Sequence, residues 1–183
     1  MKKLILAGAV LALAIVTTAW GVRAMAEKSE LKVVSKVDLS RYLGKWYEIA
    51  TIPSWFEKKC ARDTSATYTL RNDGDVDVLN QCTQSDGTVS SAHGRAWVKD
   101  KATNAKLKVS FIPWVKLNFM AGDYWIIDLG PNYEYAVVGS PGRDYGWILA
   151  RMPSLPKQTM DGIIKRLEEQ GYDFKKFKLT EQK

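Results

Sequence analysis

Apolar and polar residues alternate with a period of two along much of the chain between residues 45 and 151. The clearest stretch is 105–112, where Leu107, Val109 and Phe111 alternate with lysines and a serine. A period of two is typical of strands that bury one face. We therefore predict eight strands, at residues 45–51, 64–70, 75–80, 90–99, 105–112, 123–129, 134–139 and 146–151.

Short turn sequences join several of these strands. Residues 71–74 read Arg-Asn-Asp-Gly, in which Asn, Asp and Gly tolerate the positive φ of a tight hairpin. Eight short strands with short connections predict an all-β protein built on an up-and-down antiparallel sheet. Such a sheet closes well into an eight-stranded barrel with room for one small ligand. A two-sheet sandwich has the same periodicity and remains the alternative.

The pattern changes to a helical period near the end of the chain. Residues 156–170 place Met160, Ile163, Ile164 and Leu167 on one face, which predicts an amphipathic α-helix after the strands. The stretch 174–179 then predicts a short final strand.

The first 26 residues have the pattern of an export signal. Lys2 and Lys3 precede an uncharged apolar stretch, and 24–26 reads Ala-Met-Ala, a small-x-small cleavage site. We predict a signal peptide over 1–26 and one mature domain over 27–183, exported to the periplasm or cell envelope. An uncleaved N-terminal anchor is the alternative, because the uncharged stretch is marginally long enough to span a bilayer. This region contains no Cys, which excludes a lipobox lipoprotein.

The composition excludes some kinds of binding partner and metal site. It has 27 Lys and Arg against 20 Asp and Glu, a net charge of +7, and loss of residues 1–26 removes three bases and no acids. The remaining excess is too mild to predict nucleic-acid binding. One His and two Cys exclude zinc sites of the two-histidine or four-thiolate type.

Single motifs do not predict a metal or a cofactor either. Asp73, Asp75 and Asp77 alternate around a turn but lack the downstream Glu of a calcium loop. His93 is expected to be a surface or rim side chain. We predict no metal, no cofactor and no nucleic-acid partner.

The two cysteines, Cys60 and Cys82, flank the first predicted hairpin at nearly matching positions. In an exported protein two such cysteines are expected to pair, so we predict a disulfide between them. The alternative is a free cysteine nucleophile, although only Lys58 and Lys59 adjoin Cys60 and no base is assigned nearby.

Two motifs at opposite ends of the strand region carry a family resemblance. Residues 44–46 read Gly-Lys-Trp, similar to the G-x-W signature that opens the first strand of lipocalins. Residues 144–153, which include Arg151, resemble the arginine block at the end of their last barrel strand. The resemblance covers roughly 39–178 and is nearest to bacterial outer-membrane lipocalins, plant temperature-induced lipocalins and apolipoprotein D. Those bacterial members usually carry a lipobox Cys, which this chain lacks.

The resemblance implies an eight-stranded calycin barrel with a C-terminal α-helix and a short final strand. It also implies structural roles for Gly44, Trp46 and Arg151 at the closed end, where the first and last barrel strands meet. A guanidinium stacked on the indole would give a cation–π contact that plugs the barrel.

Alternation, anchored by this resemblance, assigns the side chains that point into the barrel. We predict a mostly apolar ligand-binding wall made of Tyr68, Val76, Val78, Asn80, Leu107, Val109, Phe111, Trp125, Ile127, Val138 and Trp147. Such a wall would accept an acyl chain. The same residues could instead fill a solid core, and this alternative stays open. The direction of Glu48 also stays open.

Two connections are expected to form an apolar rim at the open end. Residues 112–123 carry Trp114, Lys116 and Phe119, and the loop after the first strand carries Trp55 and Phe56. An apolar lip of this kind would collect ligand or make peripheral contact with a membrane or a partner. Basic rim residues such as Lys116 would favour an anionic head group.

The predicted function is non-catalytic binding, transport or storage of a small hydrophobic ligand, a fatty acid or lysophospholipid, in the bacterial cell envelope. One alternative is a cysteine-dependent lipid-modifying enzyme on the same scaffold. Another is an envelope interaction protein whose barrel is filled.

Overall fold

The computed structural model describes residues 30–112 and 120–183. The predicted signal peptide at 1–26 lies outside the described residues, and so do Trp114, Lys116 and Phe119 of the predicted lip.

Eight antiparallel strands follow one another around the molecule, and the alternating segments of the sequence form them. Each strand pairs with the next along the chain, from β1–β2 through β7–β8. The bounds are β1 Gly44–Thr51, β2 Cys60–Leu70, β3 Val76–Gln84, β4 Val89–Val98, β5 Lys106–Ser110, β6 Gly122–Leu129, β7 Tyr135–Gly139 and β8 Gly146–Ala150.

The sheet closes on itself through β1. Its first half pairs with β2, from Gly44 opposite Tyr68 onward, and its second half pairs with β8, where Thr51 lies opposite Trp147. The eight-stranded barrel is therefore confirmed, and the sandwich alternative is wrong. A short ninth strand, β9 (Lys178–Leu179), adds to the end of β1 and lies inside the predicted segment 174–179.

In the described part of the chain, two α-helices accompany the barrel. The predicted amphipathic helix is confirmed as α2, Lys157–Glu169, and a single turn, α1 (Leu39–Tyr42), precedes β1. Ile163 and Leu167 of α2 are buried in a cluster with Val137 and Ile148, on the outer side of the barrel wall. An ion pair between Arg166 Nε and Asp128 Oδ2 at 2.7 Å joins the helix to β6. The helix thus covers apolar wall that water would otherwise contact.

The closed end is plugged by the contact that the resemblance implied. The Arg151 guanidinium lies over the Trp46 ring, 3.7 Å from its centroid, and donates to the carbonyl oxygens of Lys45 and Arg41. The indole Nε1 of Trp46 donates to the Tyr42 carbonyl at 2.8 Å. Gly44 has a φ of +90°, a backbone conformation that favours glycine over residues with a Cβ.

The predicted disulfide between Cys60 and Cys82 is confirmed. It ties the start of β2 to the end of β3, with the two Cα atoms 5.4 Å apart. Cross-linking a loop with a sequence separation of 22 removes chain entropy from the unfolded state, a stabilisation of about 3 kcal/mol on the entropic model.

Arg151→Ala should lower the free energy of unfolding by about 2 kcal/mol, because it removes a cation–π contact and two hydrogen bonds to carbonyl groups. Arg151→Lys should lose less, since the ammonium keeps the charge but not the paired donors. Equilibrium urea unfolding of the two variants and the parent protein measures both effects. An unchanged midpoint for Arg151→Ala would show that the plug does not stabilise the barrel.

Candidate ligand-binding site

Most of the predicted wall residues line the barrel interior. One apolar cluster contains Tyr68, Val76, Val78, Leu107 and Val138, with Val109 and Trp147 packed against it. Asn80 continues the inward-facing positions of β3, because it lies two residues beyond Val78 in an unbroken register with β4. Phe111 follows β5 on the same side, and its ring packs over Gly94, where an added Cβ would be 2.9 Å away.

The inward orientation predicted for Trp125 and Ile127 is wrong. Ile127 is buried in the cluster beneath α2, and Trp125 packs against that cluster. The cause is a β-bulge, since the register of β6 against β7 shifts between Ile126 and Asp128. The extra residue reverses the alternation, so Ile126 faces the interior in their place.

Sequence reasoning missed part of the polar lining. Three tyrosines cluster near the closed end, where the hydroxyls of Tyr42 and Tyr124 are 2.8 Å apart and those of Tyr68 and Tyr124 are 3.0 Å apart. Burial raises the pKa of Tyr68 to about 12, so its hydroxyl stays neutral. The group gives the floor of the barrel a small polar centre. The alternation marked Tyr68, but Tyr124 was hidden by the bulge in β6.

Glu48 points into the protein, and this settles the orientation that the sequence left open. Its side chain is only 5% exposed, and Oε1 accepts a hydrogen bond from the Thr180 hydroxyl at 2.5 Å. Burial, reinforced by the neighbouring charge of Glu57, raises the pKa of Glu48 to about 8, against the opposing effect of the Thr180 hydrogen bond. Glu48 is therefore mostly protonated at neutral pH.

Glu57 lies above Glu48 in the loop between β1 and β2. Its carboxylate accepts hydrogen bonds from Trp147 Nε1 at 3.1 Å, Ser54 Oγ at 3.0 Å and Thr51 Oγ1 at 3.3 Å. These bonds connect the loop to β1 and β8. No sequence signal marked Glu57, because a polar residue in a loop is ordinary.

The C-terminal residues complete the wall beside Glu48. Beyond Tyr47 the strands β1 and β2 no longer pair directly, and residues 180–183 bridge them. The amide of Thr180 donates to the Ile49 carbonyl at 3.0 Å, and Gln182 Nε2 donates to the carbonyls of both Glu48 and Thr64, at 2.7 and 2.9 Å. This wall strip, residues 178–183, holds Glu48 in place.

Exposed aromatic rings mark the open end. Trp55 is 74% exposed, and its ring meets that of Phe56 edge to face. Phe56 stacks on Tyr145, which stacks on Trp147 with the ring planes 4° apart. We call these four rings the aromatic rim. On either side of the undescribed part of the lip, Ile112 and Met120 are also exposed.

The aspartates around residue 75 and the single histidine do not form a metal site in the described part of the chain. Asp73 and Asp75 both pair with Arg95 at 2.6 Å, and Asp77 pairs with Arg71, so the aspartates neutralise arginines. His93 is exposed on β4 and faces away from the interior cluster. Within 30–112 and 120–183, no group of three or more His, Cys, Asp or Glu is placed to hold a metal ion.

Among these same residues, no helix has the length and hydropathy needed to span a membrane.

Glu48→Gln should make the protein less sensitive to alkaline pH. The pKa of Glu48 is raised from 4.5 to about 8 in the folded state, so the folded protein binds a proton that the unfolded chain has released. Stability due to this proton is present at low pH and is lost as pH rises toward 8, with a slope of up to about 1.4 kcal/mol per pH unit.

Urea unfolding between pH 5 and 9 measures this effect as the difference between Glu48→Gln and the parent. Glu168→Gln, at an exposed position in α2, is the matched control. The difference should grow with pH up to about pH 8 and then level off. Parallel stability curves would contradict the assignment.

Comparisons with known proteins agree with this geometry. The model of the lipocalin-like domain matches residues 37–182. The chain is 42% identical to temperature-induced lipocalin-1 of Arabidopsis thaliana, over 86% of each protein. It is 38% identical to the outer membrane lipoprotein Blc of Escherichia coli K12, over 79% of each. It is 39% identical to apolipoprotein D of Macaca fascicularis, over 82% of this chain and 79% of that protein.

Solved structures show the same fold. Insecticyanin from the tobacco hornworm Manduca sexta superposes with a TM-score of 0.64 at 20% identity, over 83% of this chain and 84% of insecticyanin. The matched family model, the relatives and the closed barrel agree, and the chain belongs to the lipocalin family.

Proposed function

We propose that this lipocalin binds a single-chain lipid, a fatty acid or a lysophospholipid, without covalent chemistry and carries or stores it. The observation that supports this most is the inner wall, which is apolar over Val76, Val78, Leu107 and Val138 and is closed at one end by the Arg151 plug. Burying an alkyl chain against such a wall contributes about 0.8 kcal/mol per methylene. Ten methylenes would supply about 8 kcal/mol before the costs of association.

The alternative of a cysteine-dependent enzyme requires a free thiol as its nucleophile. The chain contains two cysteines, and both are in the Cys60–Cys82 disulfide. A thiolate mechanism would require reduction of that bond first. The binding function needs no such step, and we favour it on this ground.

We propose the bacterial cell envelope as the location. The disulfide supports an oxidising compartment, and a relative named as an outer membrane lipoprotein supports the envelope. Export would use the predicted signal peptide at 1–26, either cleaved or retained as an anchor.

Filling the open half of the barrel should weaken lipid binding. Ala92 lies opposite Asn80 on the inward-facing side of β4 and is exposed, so Ala92→Phe adds a ring without displacing core. We expect this variant to lower the affinity for a long-chain fatty acid and a lysophospholipid at least about tenfold, the equivalent of 1.4 kcal/mol.

Ser91→Phe places the same ring on the outer face of the same strand and is the matched control. Calorimetric titration of lipid-stripped protein compares the two variants with the parent. If the parent binds neither lipid, the result favours a filled barrel, and the envelope interaction protein becomes the better proposal. If Ala92→Phe binds as tightly as Ser91→Phe, the ligand lies elsewhere.

The aromatic rim would bring the barrel mouth to the membrane from which a lipid is taken. Exposed Trp and Tyr side chains are typical of surfaces at the membrane–water interface. Trp55→Ala should weaken binding to phospholipid vesicles several-fold in a sedimentation assay, because it removes the most exposed ring of the rim.

Met152→Ala removes a similarly exposed apolar side chain at the closed end and should leave vesicle binding unchanged. Equal loss in both variants would show that the rim is not the membrane-facing surface.

A further inference from the structure

The open half of the barrel holds two carboxyl groups, those of Glu48 and Glu57, at its inner wall. Glu57 is bonded to Trp147, a wall residue, and Glu48 is held below it by Thr180. Within the described ranges, neither carboxyl group takes part in an ion pair with a lysine or arginine. Three hydrogen-bond donors, on Trp147, Ser54 and Thr51, surround the Glu57 side chain.

A third acceptor lies on the same inner surface. The side-chain Oδ1 of Asn80 is buried, and no donor of the described chain reaches it. Asn80 is opposite Ala66, which in turn is opposite Trp46, two residues before Glu48 on β1. A buried acceptor without a donor costs free energy that a ligand carrying N–H groups would recover.

The surroundings of Glu57 also suit a cation. Trp147 donates to it, Phe56 precedes it in the chain, and Tyr145 stacks between those two rings. Aromatic rings favour contact with ammonium groups. A second carboxylate placed beside the carboxyl group of Glu57 would be disfavoured, because like charges repel.

We propose that this barrel selects single-chain amphiphiles whose head group carries a protonated amine over those that carry a carboxylate. The amine would donate to Glu57, Glu48 and Asn80 while the alkyl chain lies along the apolar wall. This inference rests on the proposed lipid-binding function and chooses between its two ligand classes. It favours lysophospholipids with an amine-bearing head group over fatty acids.

The overall charge of the protein works against this preference. The chain carries seven more bases than acids, and four more after loss of residues 1–26, so non-specific attraction would favour a carboxylate. A preference for an amine must therefore come from the local carboxyl groups.

The test uses three ligands that share one alkyl chain: dodecylamine, 1-dodecanol and dodecanoate. Each is titrated calorimetrically into the purified, lipid-stripped protein at pH 7, below its aggregation limit. We expect dodecylamine to bind at least about tenfold more tightly than dodecanoate, with dodecanol between them. Glu57→Gln should bring the amine-to-carboxylate ratio close to one, and Glu168→Gln, at an exposed site on α2, should keep it.

A second arm varies pH and does not depend on Glu57→Gln folding correctly. The titratable groups of the described chain that face Glu48 are Glu57 and Tyr68, and Tyr68, with a pKa of about 12, stays neutral. As pH rises from 7 to 9, Glu48 ionises, whereas a primary amine, like that of lysine, remains largely protonated. The amine-to-carboxylate ratio should rise several-fold in the parent and stay constant in Glu48→Gln.

The outcomes separate the two proposals. If dodecanol binds but dodecylamine and dodecanoate bind equally, or dodecanoate binds more tightly, the amine preference is overturned and the lipid-binding function stands. If none of the three ligands binds, the lipid-binding function itself fails, and the inference fails with it.

Discussion

Closure of the barrel depends on one strand, β1, which pairs with β2, β8 and β9. A strand that bonds on both sides removes the free edges that an open eight-stranded sheet would present. Its first residues also carry Gly44 and Trp46, so Arg151 can cover the indole only when β1 and β8 are in register. Sheet closure and the plug of the closed end are thus coupled through the same few residues.

The regular parts of this fold could be predicted from the sequence, because there the apolar or polar character of each residue indicates whether its side chain is buried or exposed. In β5 the alternation of Leu107 and Val109 with lysines gives both the strand and its inward face. The helix could likewise be predicted from its apolar periodicity. The disulfide could be predicted because an exported protein with two cysteines is expected to pair them. Closure was not readable from periodicity, which a sandwich shares, and it entered through the resemblance of the motifs around Trp46 and Arg151.

Irregular strands and contacts between distant residues are the features that the sequence did not predict. A β-bulge inserts one residue without any compositional signature, so in β6 it reversed the predicted faces of Trp125 and Ile127. A second irregularity interrupts β1 between Glu48 and Ala50. Because of it, the inward-facing carboxyl group of Glu48 does not continue the alternation of the apolar residues beside it. Glu57 and Thr180 joined the site from distant parts of the chain, and no local pattern links residues that are brought together only by folding. The polar half of the site was for this reason mostly invisible to sequence reasoning, whereas the apolar half was mostly visible.

The wall strip formed by residues 178–183 also has a consequence for the order in which the molecule assembles. Glu48 and Gln182 are separated by 134 residues and yet form one stretch of wall. During synthesis β1 emerges early, and it must remain without β8, β9 and the strip until almost all of the chain has been made. Contacts between residues so far apart in sequence form slowly, because a long loop must be closed before they contribute any stability. The finished barrel is therefore expected to appear late and cooperatively, with its ligand space enclosed as one of the last events of folding.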